Sequence, residues 1–382
     1  MGSIWVILGL LASLIALGVW ERLRRDAARS AVPIRIHVNG TRGKSTVTRL
    51  VAGGLRAGGI RTIAKTTGTA ARLILPDGSE LPVRRRAPAS IREQLWVLRE
   101  AHRQGARALV VECMAIDPFL QQVSEREMIA ATVGVITNAR PDHREAMGAS
   151  AAGVAVALSR TVPQGAVLVL GPEPGPWRDI LGSEAARRRS VVVTASVEDV
   201  AIDALPLPPW QRQNYAVALA VTRHVGIPDH LALKGMCSSV QDPGACSTLA
   251  VRIDGRLIDL IDASAANDPE SLKQLVGRLG GRDLVVFNHR ADRPLRLGAF
   301  AESGVWADPQ LGILITGDRP DWWSAARARR SLGRPDLPFV GLRDLAPHLR
   351  LALREAQAVR TVVLSGNAKQ LDPPVLAAAL GR

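Results

Sequence analysis

The chain opens with an uninterrupted apolar run, residues 4–20 (IWVILGLLASLIALGVW), and Glu21-Arg22-Leu23-Arg24-Arg25 follows it at once. A run with no charge in it predicts a membrane-crossing helix at the short end of the usual length range. No Lys or Arg precedes the run and several follow it, which places the start of the chain outside and the body in the cytoplasm. A cleaved signal peptide would carry its positive charge ahead of the apolar stretch. A uniformly apolar buried helix is the other alternative. Residues 26–33 read as a short linker.

Beyond the linker, short β-branched and apolar runs alternate with segments of helical periodicity, the pattern of a doubly wound sheet. Strands are predicted at 60–64, 106–111, 128–137, 166–170 and 191–194, helices at 45–57, 90–105, 151–162 and 211–225, and a short helix or turn at 228–236. Pro76-Asp77-Gly78 between 73–75 and 81–83 predicts a hairpin. Ser90 with Glu93 three residues on predicts a capping box. Residues 171–182 read as irregular, and 201–209 as a Pro-punctuated connection.

Gln241-Asp242-Pro243-Gly244-Ala245 marks a domain boundary. After it come a hairpin, 249–253 and 257–261 around Asp254-Gly255, a helix ending at 279, and strands at 284–287, 311–316 and 361–364. No internal repeat is present. The expected class is α/β: an N-terminal transmembrane helix over 1–22, a P-loop ATP-binding domain over 23–241 and a smaller C-terminal α/β domain over 242–382.

The chemistry centres on RIHVNGTRGKSTVTRL, residues 35–50. A strand-like run feeds a turn, Gly40-Thr41-Arg42-Gly43, that ends in Lys44-Ser45-Thr46 at the head of a helix. Amides of such a turn and of the helix start can cradle phosphate oxygens, while Lys44 reaches the β/γ-phosphates and Ser45 holds Mg²⁺. The longer pattern GxxxxGK[ST] would need Gly at 38, where this chain has Val38.

A second turn, Lys65-Thr66-Thr67-Gly68-Thr69-Ala70-Ala71-Arg72, suits a phosphate or carboxylate, with an exposed β-turn as the alternative. The strand 106–111 ends in Glu112, the expected partner of Ser45 on the metal. Asn138, Asp142 and His143 follow the next strand, at the edge where loops of such sheets converge, and either of the last two could bind a second metal or orient a phosphate. Asn214 could read an adenine edge or cap its helix.

Composition narrows the picture. The 382 residues are 47% hydrophobic, too many for one ordinary core and consistent with two domains. Cys113, Cys237 and Cys246 are widely spaced, lack metal-ligand pairing with the seven histidines, and read as reduced small hydrophobes. The net charge of +14 comes from Arg rather than Lys, which suits anionic lipid or an anionic polymer. With no helix-turn-helix signal and little aromatic interleaving, nucleic-acid binding is not expected.

In order, RGKSTVTRL at 42–50, KTTGTAAR at 65–72, VECMA at 111–115, Asp142-His143, Gln213-Asn214, Lys234-Gly235-Met236, Asp242-Pro243-Gly244-Ala245, Asn267-Asp268 and Arg290-Ala291-Asp292-Arg293 resemble the Mur ligase superfamily. Within it they resemble the poly-gamma-glutamate synthase branch, PgsB/CapB. The resemblance covers nearly the whole chain. It implies a Mur-ligase-like fold and an ATP-dependent carboxylate–amine ligase. A γ-carboxylate of glutamate or of growing poly-gamma-glutamate would be phosphorylated, and an amine would displace the phosphate.

It further implies ATP and Mg²⁺ as cofactors, with Lys44, Glu112, Asp142 and His143 catalytic and Ser45, Glu112 and His143 at metal. Gly40 through Thr46, Asn214, Asn267 and Arg290 would hold nucleotide, and Thr67, Thr69, Arg72 and Arg293 the substrate. Asn267, Asp268, Arg290 and Arg293 resemble inward-facing elements of a domain that closes over the nucleotide. Membrane partners resembling CapC/PgsC and CapA/PgsA are implied, and homo-oligomerisation is compatible.

Three departures stand out. No lysine lies between Lys65 and Lys234 to serve as the carbamylated lysine of several Mur ligases; Ala245 follows Pro-Gly where many carry Arg; and the stretch after Leu364 is abbreviated. The competing readings are another Mur-like amino-acid or folyl-polyglutamate ligase, a P-loop kinase or transport NTPase, and a noncatalytic membrane scaffold. The anchor and the lack of a recognisable extra substrate domain disfavour the first.

Overall fold

The computed structural model describes residues 2–381 except 68–70, 86–87, 142–143, 149, 204, 206, 208, 241–246, 265–267, 278, 280–282, 292–293, 308–310, 335–336 and 367–370. Thr69, Asp142, His143, Asn267 and Arg293 therefore lie outside the described residues, as do Arg86, Asp242 to Ala245 and Asn367. The chain divides into two compact units, Met1–Asp242 and Pro243–Arg382.

The first unit runs α1 (Gly2–Ala31), β1 (Ile34–Asn39), α2 (Lys44–Ala57), β2 (Thr62–Lys65), β3 (Arg72–Ile74), β4 (Glu80–Pro82), α3 (Arg92–Arg103), β5 (Ala108–Glu112) and α4 (Pro118–Val123). A π-helical turn, Ser124–Ile129, continues α4. Then follow β6 (Val133–Ile136), α5 (Arg144–Met147), α6 (Ala151–Leu158), β7 (Val167–Leu170), α7 (Trp177–Arg187), β8 (Val191–Thr194), α8 (Val200–Asp203), α9 (Pro209–His224) and α10 (Asp229–Cys237).

Its sheet has the order β4-β3-β2-β5-β1-β6-β7-β8, parallel throughout except for the β2-β3-β4 meander at one edge. Strands β2, β5 and β6 are buried along their whole length, so they read as continuous rather than alternating apolar runs. One face packs on α2, α9 and α10, with Val47, Leu50, Val51, Leu55, Val217 and Val221 in the core. The other packs on α3 and the end of α1.

α1 is long and apolar enough to cross a membrane, and its side chains from Ile4 to Trp20 are all exposed. The linker expected over 26–33 is instead largely helix: α1 continues to Ala31. Ala28 and Val32 are buried with Val97, Leu98 and Ala101. The Arg29 guanidinium donates to the carbonyls of Arg126 and Met128, and Arg35 donates to those of Arg29, Val32, Ile129 and Ala130. Two arginines thus satisfy carbonyls at the ends of α1 and of the π turn, which a helix terminus leaves open.

Three other expectations are corrected. Residues 177–187 form α7, since Trp177, Leu181 and Ala185 at i, i+4 and i+8 supply one buried stripe. The strand expected over 128–137 is shorter, because the π turn holds Met128 and Ile129 and β6 begins at Val133. The capping box does not form. α3 starts without a side-chain cap, and Glu93 is drawn instead to Lys65 and Arg85.

The second unit carries β9 (Ser247–Ile253), β10 (Arg256–Asp262), α11 (Pro269–Val276), β11 (Asp283–His289), α12 (Pro294–Glu302), β12 (Gly312–Gly317), α13 (Trp322–Leu332), β13 (Phe339–Val340), α14 (Leu345–Glu355), β14 (Thr361–Ser365) and α15 (Pro373–Leu380). The sheet order is β13-β12-β11-β14-β10-β9, parallel but for β9. Asp254 (φ 46°) and Gly255 (φ 78°) make the β9–β10 turn with both residues left-handed, which matches the twist of a hairpin. Phe287, Phe300 and Trp306 pack ring against ring, 4.9–5.4 Å between centroids.

In the first unit α2 and α10 meet through glycine. A Cβ on Gly235 would stand 2.1 Å from the Gly53 carbonyl oxygen, whereas Gly298 in α12 has nothing within 4 Å. Gly235→Ala is expected to destabilise the protein by about 1–3 kcal/mol, since backbone cannot yield as a side chain can. Gly298→Ala is expected to stabilise it by up to about 1 kcal/mol. Thermal unfolding of the two variants measures both.

Candidate active site

β1 is central in its sheet and delivers the backbone to the Gly40–Gly43 loop at its C-terminal end. Gly40 has φ 126°, and a Cβ there would lie 2.1 Å from Thr137 Oγ1; Gly43 has φ 80°, and a Cβ there would lie 2.3 Å from Asn214 Oδ1. Only glycine fits either place. Val38, where the longer motif has glycine, is a buried strand residue whose carbonyl accepts from the Cys113 amide at 2.8 Å. The short form of the loop therefore needs no third glycine.

The residues that hold this loop lie just past β6. Asn138 Oδ1 accepts from Thr41 Oγ1 at 2.6 Å and from the Arg42 amide at 3.1 Å, while its Nδ2 donates to the Arg42 carbonyl at 3.1 Å. Thr137 Oγ1 donates to the same carbonyl at 2.6 Å. Thr41 Oγ1 also accepts from the Arg140 amide, and Arg140 pairs with Glu173 at 3.0 Å. Asn39 Oδ1 accepts the Gly40 amide at 2.8 Å. Of the residues that support the loop from outside it, sequence reasoning noted only Asn138, as a loop residue; its place two residues past the end of β6 was the available signal.

Ser45 and Glu112 are brought together. The buried Glu112 carboxylate accepts from Ser45 Oγ at 2.8 Å and, through the same oxygen, from the Thr67 amide at 2.7 Å. It is thus the backbone of Thr67 that meets Glu112. Lys44 folds back over the loop, Nζ donating to the Gly40 carbonyl at 2.7 Å and more weakly to that of Thr41. Thr46 is half-buried on the first turn of α2. Arg72 sits on β3, its backbone exchanging hydrogen bonds with Thr66.

Beside this junction Lys65 is fully buried, with its Nζ 2.9 Å from Glu93 Oε2, and Arg85 reaches the same carboxylate from the surface. Burial lowers the Lys65 pKa, and its pairing with Glu93 opposes that. Burial also disfavours ionised Glu93, yet hydrogen bonds from Arg85 and Lys65 hold its pKa near about 2.

Under the loop lies a buried pair that sequence reasoning missed. His37 Nδ1 on β1 is 2.7 Å from Glu125 Oε2 on the π turn, and Glu125 Oε1 accepts the Ala131 amide. Burial alone would lower the His37 pKa, but hydrogen bonding to Cys113 and Glu125 lifts it to about 10. In the second unit Arg290 follows β11, and Asp268 caps α11 by accepting the Ser271 amide at 2.9 Å.

Ser45 Oγ and the Glu112 carboxylate are hard oxygen donors, held together and buried, and they fit a small divalent cation such as Mg²⁺. No cluster of three His, Cys, Asp or Glu side chains suited to a metal occurs among the described residues.

Comparison with known proteins agrees across the chain. Residues 38–204 match the family described as the Mur ligase middle domain, and residues 248–373 the poly-gamma-glutamate synthase CapB C-terminal domain. The PGA synthase CapB of Bacillus subtilis is 33% identical over 307 residues, 78% of this chain and 78% of that protein. The capsule biosynthesis protein CapB of Bacillus anthracis is 34% identical over 298 residues, 75% of this chain and 64% of that one.

The fold is also that of the Mycobacterium tuberculosis folylpolyglutamate synthase complexed with ADP and AMPPCP, with TM-score 0.65, 19% identity, and 97% and 99% of the two chains covered. A bifunctional folylpolyglutamate synthase/dihydrofolate synthase of Yersinia pestis, complexed with AMPPNP and Mn ion, gives TM-score 0.64 at 18% identity over 94% and 92%.

The His37 pair yields a pH prediction. Its pKa is raised above the unfolded value, so the stability it contributes is fully present below about pH 6.5 and lost as pH rises through about 10. Glu125→Gln is expected to cost about 3–5 kcal/mol at pH 6, as breaking a buried pair does. That deficit should shrink steadily toward pH 10, as read by denaturant unfolding of both proteins across the range.

Proposed function

This chain belongs to the poly-gamma-glutamate synthase CapB family, and from that premise we propose that it polymerises glutamate through γ-carboxylate phosphorylation, as the catalytic subunit of a membrane synthesis and export complex. It is an ATP-dependent carboxylate–amine ligase. The observation that carries the reading is the Ser45–Glu112–Thr67 junction at the mouth of the glycine loop, a charged and buried constellation with no other evident use.

The N-terminus of α2 binds the phosphates, and Asn138, which takes up the Thr41 and Arg42 amides, fixes the loop before nucleotide arrives. Lys44 exchanges the Gly40 carbonyl for a phosphate oxygen and offsets charge that builds on the transferred group. Ser45 and Glu112 would hold Mg²⁺, which supplies charge neutralisation of the β- and γ-phosphates. Asn214, whose side chain packs on Gly43, keeps the nucleotide-binding role that its motif implies.

A γ-carboxylate oxygen attacks the terminal phosphorus and ADP leaves. The amine of the next glutamate then attacks the acyl carbon, phosphate departs, and the amide remains. Thr67 and Arg72 keep the substrate-binding role that their motif implies. For Asp142 and His143, Thr69, Asn267, Arg290 and Arg293 we retain the roles their motifs imply. Residues 1–22 serve as anchor, 23–241 as the ATP-binding domain and 242–382 as the C-terminal ligase domain. CapC/PgsC-like and CapA/PgsA-like proteins are the expected partners.

Two measurements test this. In membranes holding the chain and those partners, with ATP, Mg²⁺ and labelled L- or D-glutamate, ADP release is expected to accompany γ-linked polymer. Lys44→Ala should lower both by about 10²–10³-fold. ATP turnover without glutamate incorporation, or an unaffected Lys44→Ala protein, would overturn the reading. Asn138→Ala, which unties Thr41 and Arg42, is expected to weaken binding of a nonhydrolysable ATP analogue by about 1–3 kcal/mol in calorimetry.

A further inference from the structure

α13 of the second unit presents an exposed aromatic pair with no ring partner but each other among the described residues. Trp322 is 69% and Trp323 76% exposed, and their rings meet edge to face with centroids 4.5 Å apart. Their position is fixed: Asp321 caps the helix, accepting the Ser324 amide at 2.9 Å and its hydroxyl at 2.6 Å. The inner face of α13 is occupied, with Ala328 buried, Ser331 Oγ donating to the Ala301 carbonyl and Arg327 paired with Glu302 on α12. The outer face adds Arg329 and Arg330, both exposed and making no ion pair with a described residue, and exposed Arg319 lies just before the helix.

Two indoles in the first turn of a helix, an exposed arginine just before it and two more in its last turn on the same face have the composition of a membrane-surface contact. Indole rings favour the headgroup level, and each arginine is attracted to anionic lipid. A free anionic polymer would engage the arginines but offers no apolar surface to two edge-packed indoles. We propose that the outer face of α13, Trp322 and Trp323 with Arg319, Arg329 and Arg330, docks on an anionic lipid surface. The proposal rests on the reading that α1 anchors the chain, because a tether keeps the patch at high effective concentration near the bilayer.

The test uses the full chain in vesicles of phosphatidylcholine with or without phosphatidylglycerol, the lipids brominated near the headgroup to quench nearby indoles. Emission of Trp322 and Trp323 is taken as the difference between the chain and Trp322→Phe/Trp323→Phe; that of Trp5 and Trp20, from Trp5→Phe/Trp20→Phe, reports the anchor. In brominated phosphatidylglycerol vesicles the patch emission should fall by at least half, and recover in 0.5 M salt or in Arg329→Glu/Arg330→Glu while the anchor emission stays quenched. If the anchor is quenched and the patch is not, the docking proposal alone falls. If neither is quenched, the anchor reading falls and takes the proposal with it. A patch emission that responds to soluble polyglutamate but not to brominated lipid would overturn it in favour of the polymer.

Discussion

The arrangement of the first unit depends on one steric constraint: the chain leaving β1 passes Thr137 so closely that no side chain can stand at Gly40. This contact sets the loop against the end of β6, where Thr137 and Asn138 can reach its amide and carbonyl groups. It also starts α2 at this same sheet edge, which brings Ser45 to the end of β5 and so to Glu112. A parallel sheet makes this possible because β1, β5 and β6 all end at one edge. The polar atoms of the site thus come from residues far apart in sequence and adjacent in strand order.

The electrostatics follow the same plan. Charges near the site are paired across elements, buried Lys65 with Glu93, buried His37 with Glu125 and half-buried Arg140 with Glu173, while the Glu112 carboxylate is met by a hydroxyl and an amide. Such pairs add little net stability over apolar packing, yet removal of either member leaves an uncompensated charge. They therefore fix which elements sit together under the loop. The arrangement suits a site that must keep its shape as phosphates come and go.

Much of this was legible in the chain, for identifiable reasons. Gly40, Gly43, Lys44 and Ser45 are adjacent, and each is demanded by local geometry, so their motif survives as a string. Glu112 was legible because a strand end is a place with meaning. Asn138 was seen as a position but not as the support of the loop, since nothing local shows what an asparagine side chain will reach. His37 and Glu125 are 88 residues apart, and their pairing arises only from a π turn that no periodicity announces. α7 was hidden by Gly171-Pro172-Glu173-Pro174-Gly175-Pro176, which reads as loop, although its three buried residues recur at regular spacing. Glu93 was read as a local cap and serves a distant lysine, a case of tertiary pairing overriding a local signal.

The continuation of α1 into the body has a mechanical meaning. A helix joined to its domain by a flexible strand lets the domain tumble. Here the helix runs unbroken to Ala31, its last turns packed on α3 and riveted by Arg29 and Arg35 to the turn that carries Glu125. Only two residues, Val32 and Pro33, separate it from β1. Tilt or rotation of the apolar segment is then transmitted as rotation of the whole sheet, so the helix acts as a rudder that sets the compass heading of the glycine loop.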